Sequence, residues 1–185
     1  MTATNFTIPL GTQAVSDNNS SLTVDGKAYR ASVTVTRPSN TTAYTAGDVV
    51  GDTNGSAIIT LSSIGPSGGY VLVQSVALIF SDTAVISGMA AFRLHFYSAS
   101  PTAIADNAAF DLVSGERANY MGFVDLAAPV DFGSSLYTQT DYPGRLIKLA
   151  TGSSTLYCEL ETKGAYTPAS ASTIDVRVAT LEAGL

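Results

Sequence analysis

Phe92-Arg93-Leu94-His95-Phe96-Tyr97 alternates large apolar residues with polar or amphipathic ones at every step. A period of two is the spacing of a β-strand, whose successive side chains point to opposite faces. Phe92, Leu94 and Phe96 therefore face a core, while Arg93, His95 and Tyr97 face water or an interface. Upstream, residues 70–82 form a longer run in which Val71, Val73, Ala77 and Ile79 lie opposite Leu72, Val76, Leu78 and Phe80. Both faces are apolar in places, as in a central strand or one covered by a neighbouring chain. Residues 28–36 place Val33 and Val35 on one face and Ser32, Thr34 and Thr36 on the other.

Further strands are expected at 57–64, 122–126, 135–140, 145–149, 154–162 and 172–181. Turn clusters such as Gly65-Pro66-Ser67-Gly68-Gly69 separate them. Helical pattern is confined to 115–121, with Ser114 as the expected N-cap and Gly122 as the stop, and to one further turn at 84–91. The expected fold is all-β, an antiparallel β-sandwich or jelly roll with one or two short helices. Residues 1–21 are rich in Thr, Asn, Ser and Ala, and Asp17-Asn18-Asn19-Ser20-Ser21 is a linker signal. They read as an N-terminal arm, and residues 22–185 as a single β-sandwich domain.

Composition narrows the function. Charged residues make up 13% of the chain, about half the usual share of roughly 25%. The chain has instead 22 Thr and 21 Ser, so hydroxyls keep it soluble. Nine basic against 15 acidic residues give a net charge of −6, without the basic footprint that phosphate neutralisation needs. No nucleic acid partner is expected. Residues 70–80 are the most apolar stretch, yet they contain Gln74 and Ser75 and reach about half of the roughly 20 residues of a membrane span. The first residues lack the cationic start and apolar run of a secretory signal, so a soluble protein made in a cytoplasm is expected, with no membrane partner.

One His and one Cys exclude a Cys–Cys framework, most zinc sites and most triad chemistry. Cys158 alternates with Leu156 and Leu160 and reads as a small buried side chain. His95 is the one imidazole, and Gly65-Pro66-Ser67-Gly68-Gly69, which matches Gly-x-Ser-x-Gly in letters, reads as a turn into the run at 70–82 rather than as a strand-to-helix nucleophile elbow. It reads as an exposed or interface residue on its strand. Two acids held about 5–9 Å apart would suffice for glycoside cleavage. That possibility stays open, although the chain has no Trp for a sugar platform. Asp52, Asn54 and Gly55 match the opening of a Ca²⁺ loop, but no bidentate Glu follows, and Asn54-Gly55 reads better as a hairpin turn. No catalytic residue, cofactor or metal site is assigned.

Two stretches carry a resemblance. Arg37-Pro38-Ser39-Asn40-Thr41-Thr42-Ala43-Tyr44-Thr45-Ala46-Gly47-Asp48-Val49-Val50-Gly51 is similar to a segment of tailed-bacteriophage virion proteins. So is Leu94-His95-Phe96-Tyr97 through Ser100-Pro101-Thr102-Ala103-Ile104-Ala105-Asp106-Asn107-Ala108-Ala109-Phe110, followed by Tyr120-Met121-Gly122-Phe123-Val124-Asp125. The resemblance spans about residues 28–181 and extends to head decoration, or cement, proteins. It implies a non-enzymatic protein on the capsid exterior that stabilises the shell, with the major capsid protein as partner. A homotrimer is expected. A tail, fibre or baseplate protein and a carbohydrate-binding β-sandwich module are the alternatives. Arg37, Asn40, Tyr44, Asp48, Arg93, His95 and Tyr97 are the candidate interface residues, since Arg and Tyr are favoured at interfaces.

Overall fold

The computed structural model describes residues 26–53 and 58–184. The expected arm, residues 22–25 and the Asn54-Gly55 turn lie outside them. The described residues form eleven strands: β1 (Ala28–Thr36), β2 (Val49–Val50), β3 (Ile59–Leu61), β4 (Tyr70–Phe80), β5 (Phe92–Tyr97), β6 (Tyr120–Leu126), β7 (Val130–Asp131), β8 (Leu136–Asp141), β9 (Leu146–Lys148), β10 (Leu156–Thr162) and β11 (Thr173–Ala183). One sheet has the order β1-β11-β4-β8-β7 with β9 also on β4, and the other β2-β10-β5-β6 with β3 also on β10. All pairings are antiparallel.

The pairs nest. β1 meets β11, β2 and β3 meet β10, β4 meets β9 and β8, and β5 meets β6. The chain is one long antiparallel hairpin rolled into two layers, which is the jelly-roll arrangement. Its tip is the β5–β6 connection, residues 98–119. The all-β expectation holds, and period-two alternation is why: Phe92, Leu94 and Phe96 meet Val71, Val73, Val76, Leu78 and Phe80 in one core between the sheets. Cys158, fully buried, lies in that core as expected.

β4 is long enough to serve two partners on one edge. Ser75–Phe80 pair with β8 and Tyr70–Leu72 with β9. The change-over falls at a bulge, where Gln74 has no counterpart in β11. There the Gln74 carbonyl accepts from the Tyr142 N–H at 2.6 Å, and the Val73 N–H donates to Arg145 at 2.9 Å. The bulge corrects the face assignment read from the sequence: Val71 and Val73 join Val76, Leu78 and Phe80 in the core, while Leu72, Ala77 and Ile79 lie on the outer side, of which Ala77 alone is buried.

The helix expected at 115–121 is absent. A single 3-10 turn covers Ser114–Glu116, its N-cap is Val113 rather than Ser114, and Tyr120 and Met121 already belong to β6. Pairing with β5 overrides local propensity here, and Gly122 sits at the bulge of that pair with φ +93° instead of closing a helix. Residues 84–91 form turns without a helix. No described helix is long and apolar enough to cross a membrane.

Leu94 lies at the centre of the sandwich with no exposed surface, whereas Thr60 of β3 is exposed. Leu94→Ala is expected to cost about 2–5 kcal/mol in denaturant unfolding and Thr60→Ala less than about 0.5 kcal/mol. Equal losses would contradict this placement of the core.

Candidate functional site

The chemistry-bearing side chains collect on the outer face of the five-stranded sheet. Strand alternation sends Arg93, His95 and Tyr97 of β5 there, opposite Leu94 and Phe96, and sends Glu159 and Glu161 of β10 to the same side, opposite Cys158 and Leu160. The register sets Glu159 across from His95 and Glu161 across from Arg93. β6 brings Phe123 beside His95, Asp125 beside Arg93 and Tyr120 beside Tyr97.

This face is not open. The β5–β6 connection folds back over it, and Phe110 stacks on the His95 ring at 3.7 Å between centroids and 13° between planes. His95, Tyr97, Glu159 and Glu161 are consequently buried, at 2, 0, 1 and 6% exposure. The expectation that β5 presents a wet or interfacial face, with His95 exposed or at an interface, is corrected for His95 and Tyr97, which this chain itself covers. The connection supplies a second cover that alternation within β5 does not reveal.

Burial obliges these groups to satisfy one another. His95 Nε2 lies 3.0 Å from a Glu161 oxygen and Nδ1 2.9 Å from the Tyr120 hydroxyl. A neutral ring with its proton on Nε2 donates to Glu161 and accepts from Tyr120, so both contacts are made. Burial holds His95 below the ordinary imidazole value, and the Glu161 hydrogen bond offsets only part of that. Burial also pushes Glu161 up, but hydrogen bonds from Lys163, at 2.9 Å, and His95 outweigh it and hold the carboxyl low.

Glu159 is different. Its Oε2 accepts from the Tyr97 hydroxyl at 3.1 Å, while its Oε1 is buried with no well-formed hydrogen bond among the described residues. Burial raises its carboxyl to about 7, against hydrogen bonds from Tyr97 and the Ile104 backbone that lower it. Burial and the Glu159 charge push the Tyr97 phenol well up in turn. At the rim, Arg93 makes a bidentate pair with Asp125 at 2.7 and 3.1 Å and lies 3.7 Å from the Phe123 ring centroid.

A second cluster locks the cover in place. Arg37, 1% exposed, donates to the Tyr44 hydroxyl at 2.5 Å, to Asp106 at 3.2 Å and to the Ala169 carbonyl at 3.3 Å. Asp106 also accepts from the Tyr44 hydroxyl at 2.5 Å and from the Gly51 N–H at 2.9 Å. The Asp48 backbone bridges to Ala109, and its buried carboxylate caps the Thr45 N–H at 2.6 Å. The amide nitrogen of Asn107 turns toward Ala43 O at 2.8 Å and Asp48 at 3.3 Å. Main-chain bonds from Val49 to Ala108, Asn107 to Val49 and Phe110 to Gly47 complete the seam.

Of the seven interface candidates, the fold buries Arg37, Tyr44, Asp48, His95 and Tyr97 and engages them inside the chain. Asn40 is exposed, with its side chain capping the Thr42 N–H at 3.1 Å, and Arg93 is partly exposed at the rim. Arg37, Tyr44 and Asp48 meet through residues 106–109, while Arg93, His95 and Tyr97 meet through β10. Asp106, Phe110, Tyr120, Glu159 and Glu161 complete the site and do not figure among the candidates. The alternation of β10 points to Glu159 and Glu161. No pattern in the sequence points to Asp106, which acts across 69 residues of chain on Arg37. The two carboxylates of β10 share a face, as a glycosidase pair would, and both are buried beneath the cover.

On the opposite side of the sandwich, an open depression of about 230 Å³ lies on the outer face of the six-stranded sheet, with Arg30, Tyr137, Gln139 and Arg177 among its lining residues. Among the described residues no group of three or more His, Cys, Asp or Glu is placed to hold a metal ion.

Comparison with known proteins adds little. No family model matches the chain, and no curated protein does. Among solved structures, a chain of the Israeli acute paralysis virus full particle, heated to 63 degrees, covers 99% of this chain and 84% of its own length. Its identity is 14% and its TM-score 0.31, and a likeness of that strength bears on neither fold nor function.

Two results are expected from this site. A carboxyl raised from an ordinary 4.5 to about 7 favours the folded state most below about pH 4.5, and that contribution is lost as pH rises through 7. Glu159→Gln keeps the neutral form, so its stability relative to the parent rises between pH 4.5 and 8, by at most about 3 kcal/mol. The difference isolates Glu159 from His95, whose lowered value acts with the opposite sign in both proteins. A flat difference would refute the assignment. Asp106→Ala strands a buried guanidinium and is expected to cost about 3–5 kcal/mol. Hydrogen exchange across residues 98–119 should accelerate with it.

Proposed function

We propose that this chain is a non-enzymatic virion structural protein of a tailed bacteriophage, a decoration protein that binds the capsid exterior on the major capsid protein and stiffens the shell. One observation carries this reading: the two stretches that resemble phage virion proteins form a single interlocked unit, in which residues 37–51 and 104–110 clamp each other through Asp106. The chemistry-bearing groups are turned into that unit. What remains outside includes the outer face of the six-stranded sheet, where Ser32, Thr34, Ser75 and Gln139 lie among the charged Arg30, Asp175 and Arg177, together with the exposed Val130 and Phe132 at the β7–β8 hairpin. Such a surface lies against a partner without stripping water from many ions. Shell stabilisation then follows from contact area across subunit junctions, which must separate before the shell does.

The polar depression with its tyrosine, glutamine and two arginines favours a second reading, a carbohydrate-binding module, since jelly rolls also occur as lectins. Purified protein added to undecorated shells should bind them and raise the temperature at which they release their contents. If shells stay bare and equally heat-labile, while a glycan array shows binding that Gln139→Ala removes, the second reading replaces the first.

A further inference from the structure

A sandwich has four sheet edges, and three of them are occupied or minimal. The β6 edge is closed from the other sheet: the carbonyls of Phe123, Asp125 and Ala127 accept from Arg145 at 3.2 Å, Thr140 at 2.7 Å and Thr138 at 2.8 Å. The β2 edge is bonded to Asn107 and Ala108, and β3 beside it is only Ile59–Leu61. β7, the far edge of the six-stranded sheet, is two residues long. Among the described residues, β1 has none of these protections.

β1 pairs with β11 in unbroken register over residues 28–36, without Pro, Gly or a bulge. Just before it, the Glu182 N–H donates to the Lys27 carbonyl, and just after it, the Arg37 N–H donates to the Ser172 carbonyl. Odd-numbered residues thus turn their main-chain groups toward β11. By the alternation of antiparallel ladders, Ala28, Arg30, Ser32, Thr34 and Thr36 turn theirs to the open edge. A long, flat edge of this kind is a template for another strand.

We infer that the occupant is β1 of a second copy, paired antiparallel about a twofold axis through Ser32. Only even residues offer edge groups, so even must meet even. Centring on Ser32 uses all of them: Ser32 faces Ser32, Arg30 faces Thr34 and Ala28 faces Thr36, which makes about ten main-chain hydrogen bonds. On the core-facing side Ala31 meets Val33 and Tyr29 meets Val35, all apolar or aromatic. Charge fits as well. Arg30 is the one charged residue of β1 and has no carboxylate partner among the described residues. In this register it faces a Thr34 whose hydroxyl is bonded at 2.6 Å to Asp175. Each Arg30 therefore reaches toward the other copy's Asp175, two strand spacings or about 10 Å away, which it would share with that copy's Arg177 at 3.2 Å, and no like charges lie directly opposite across the new pair. The six-stranded sheets become one continuous sheet. This inference stands apart from the virion reading.

The test uses the full chain. Sedimentation across a concentration series should show a reversible dimer. Ser32→Pro removes an N–H that makes no bond within the chain, so its circular dichroism should stay that of the parent while the dimer is lost. Arg30→Asp should weaken association at least tenfold, and Arg30→Asp with Asp175→Arg should restore it. Facing Ser32 residues lie about 5.5 Å apart between Cα atoms, within disulfide range. Ser32→Cys should then form an intermolecular disulfide on oxidation, while Thr60→Cys, on the other sheet, should not. A parent that is monomeric or purely trimeric overturns the inference. So does an assembly that Ser32→Pro leaves intact, or one that Ser32→Pro breaks but Ser32→Cys cannot cross-link, which would assign the edge to another segment.

Discussion

The Asp106 carboxylate is where the molecule is tied. It takes a guanidinium hydrogen bond from the end of β1, a phenol from the β1–β2 connection and the Gly51 N–H beyond β2, while itself sitting in the connection between β5 and β6. Three segments that share no sheet register are thereby held at one point. A buried ion pair of this kind contributes little net stability, because desolvation cancels most of the attraction, but removing one partner is costly. Its effect is positional: the β5–β6 connection is fixed across a sheet face that would otherwise be wet.

That covering turns a sandwich of two layers into one with a third, polar layer. Beneath it the chain concentrates its single imidazole and two of its acidic residues, and most find partners by exchanging protons and hydrogen bonds among themselves. The exception, Oε1 of Glu159, marks where the layer is least settled. The low charge of the chain takes on a meaning here, since several of its ionisable groups are not at the surface at all.

How far the sequence reaches depends on the range of each interaction. β1 and β5 coincide with the strands read from alternation, because a half-buried strand writes its environment into a period of two. β2 and β7, two residues each, are too short to show a period. The expected helix at 115–121 fails because Ser114, Glu116 and Gly122 are local signals, whereas Tyr120 and Phe123 answer to β5. The site is legible in halves. Arg37, Tyr44, Asp48, His95 and Tyr97 stand out as residues of consequence, yet their burial does not, since the groups that cover them come from distant parts of the chain.

The nesting of the strands also constrains how the chain is made. The first strand of the described fold pairs with the last, and β4 waits on the same last strand. A ribosome therefore releases β11 only after every other strand has emerged, and until then neither β1 nor β4 has that neighbour. Contacts this distant in sequence slow folding and prolong the exposure of unpaired edges. Closure of the sandwich thus waits on residues 173–183, which follow the other ten described strands in the chain.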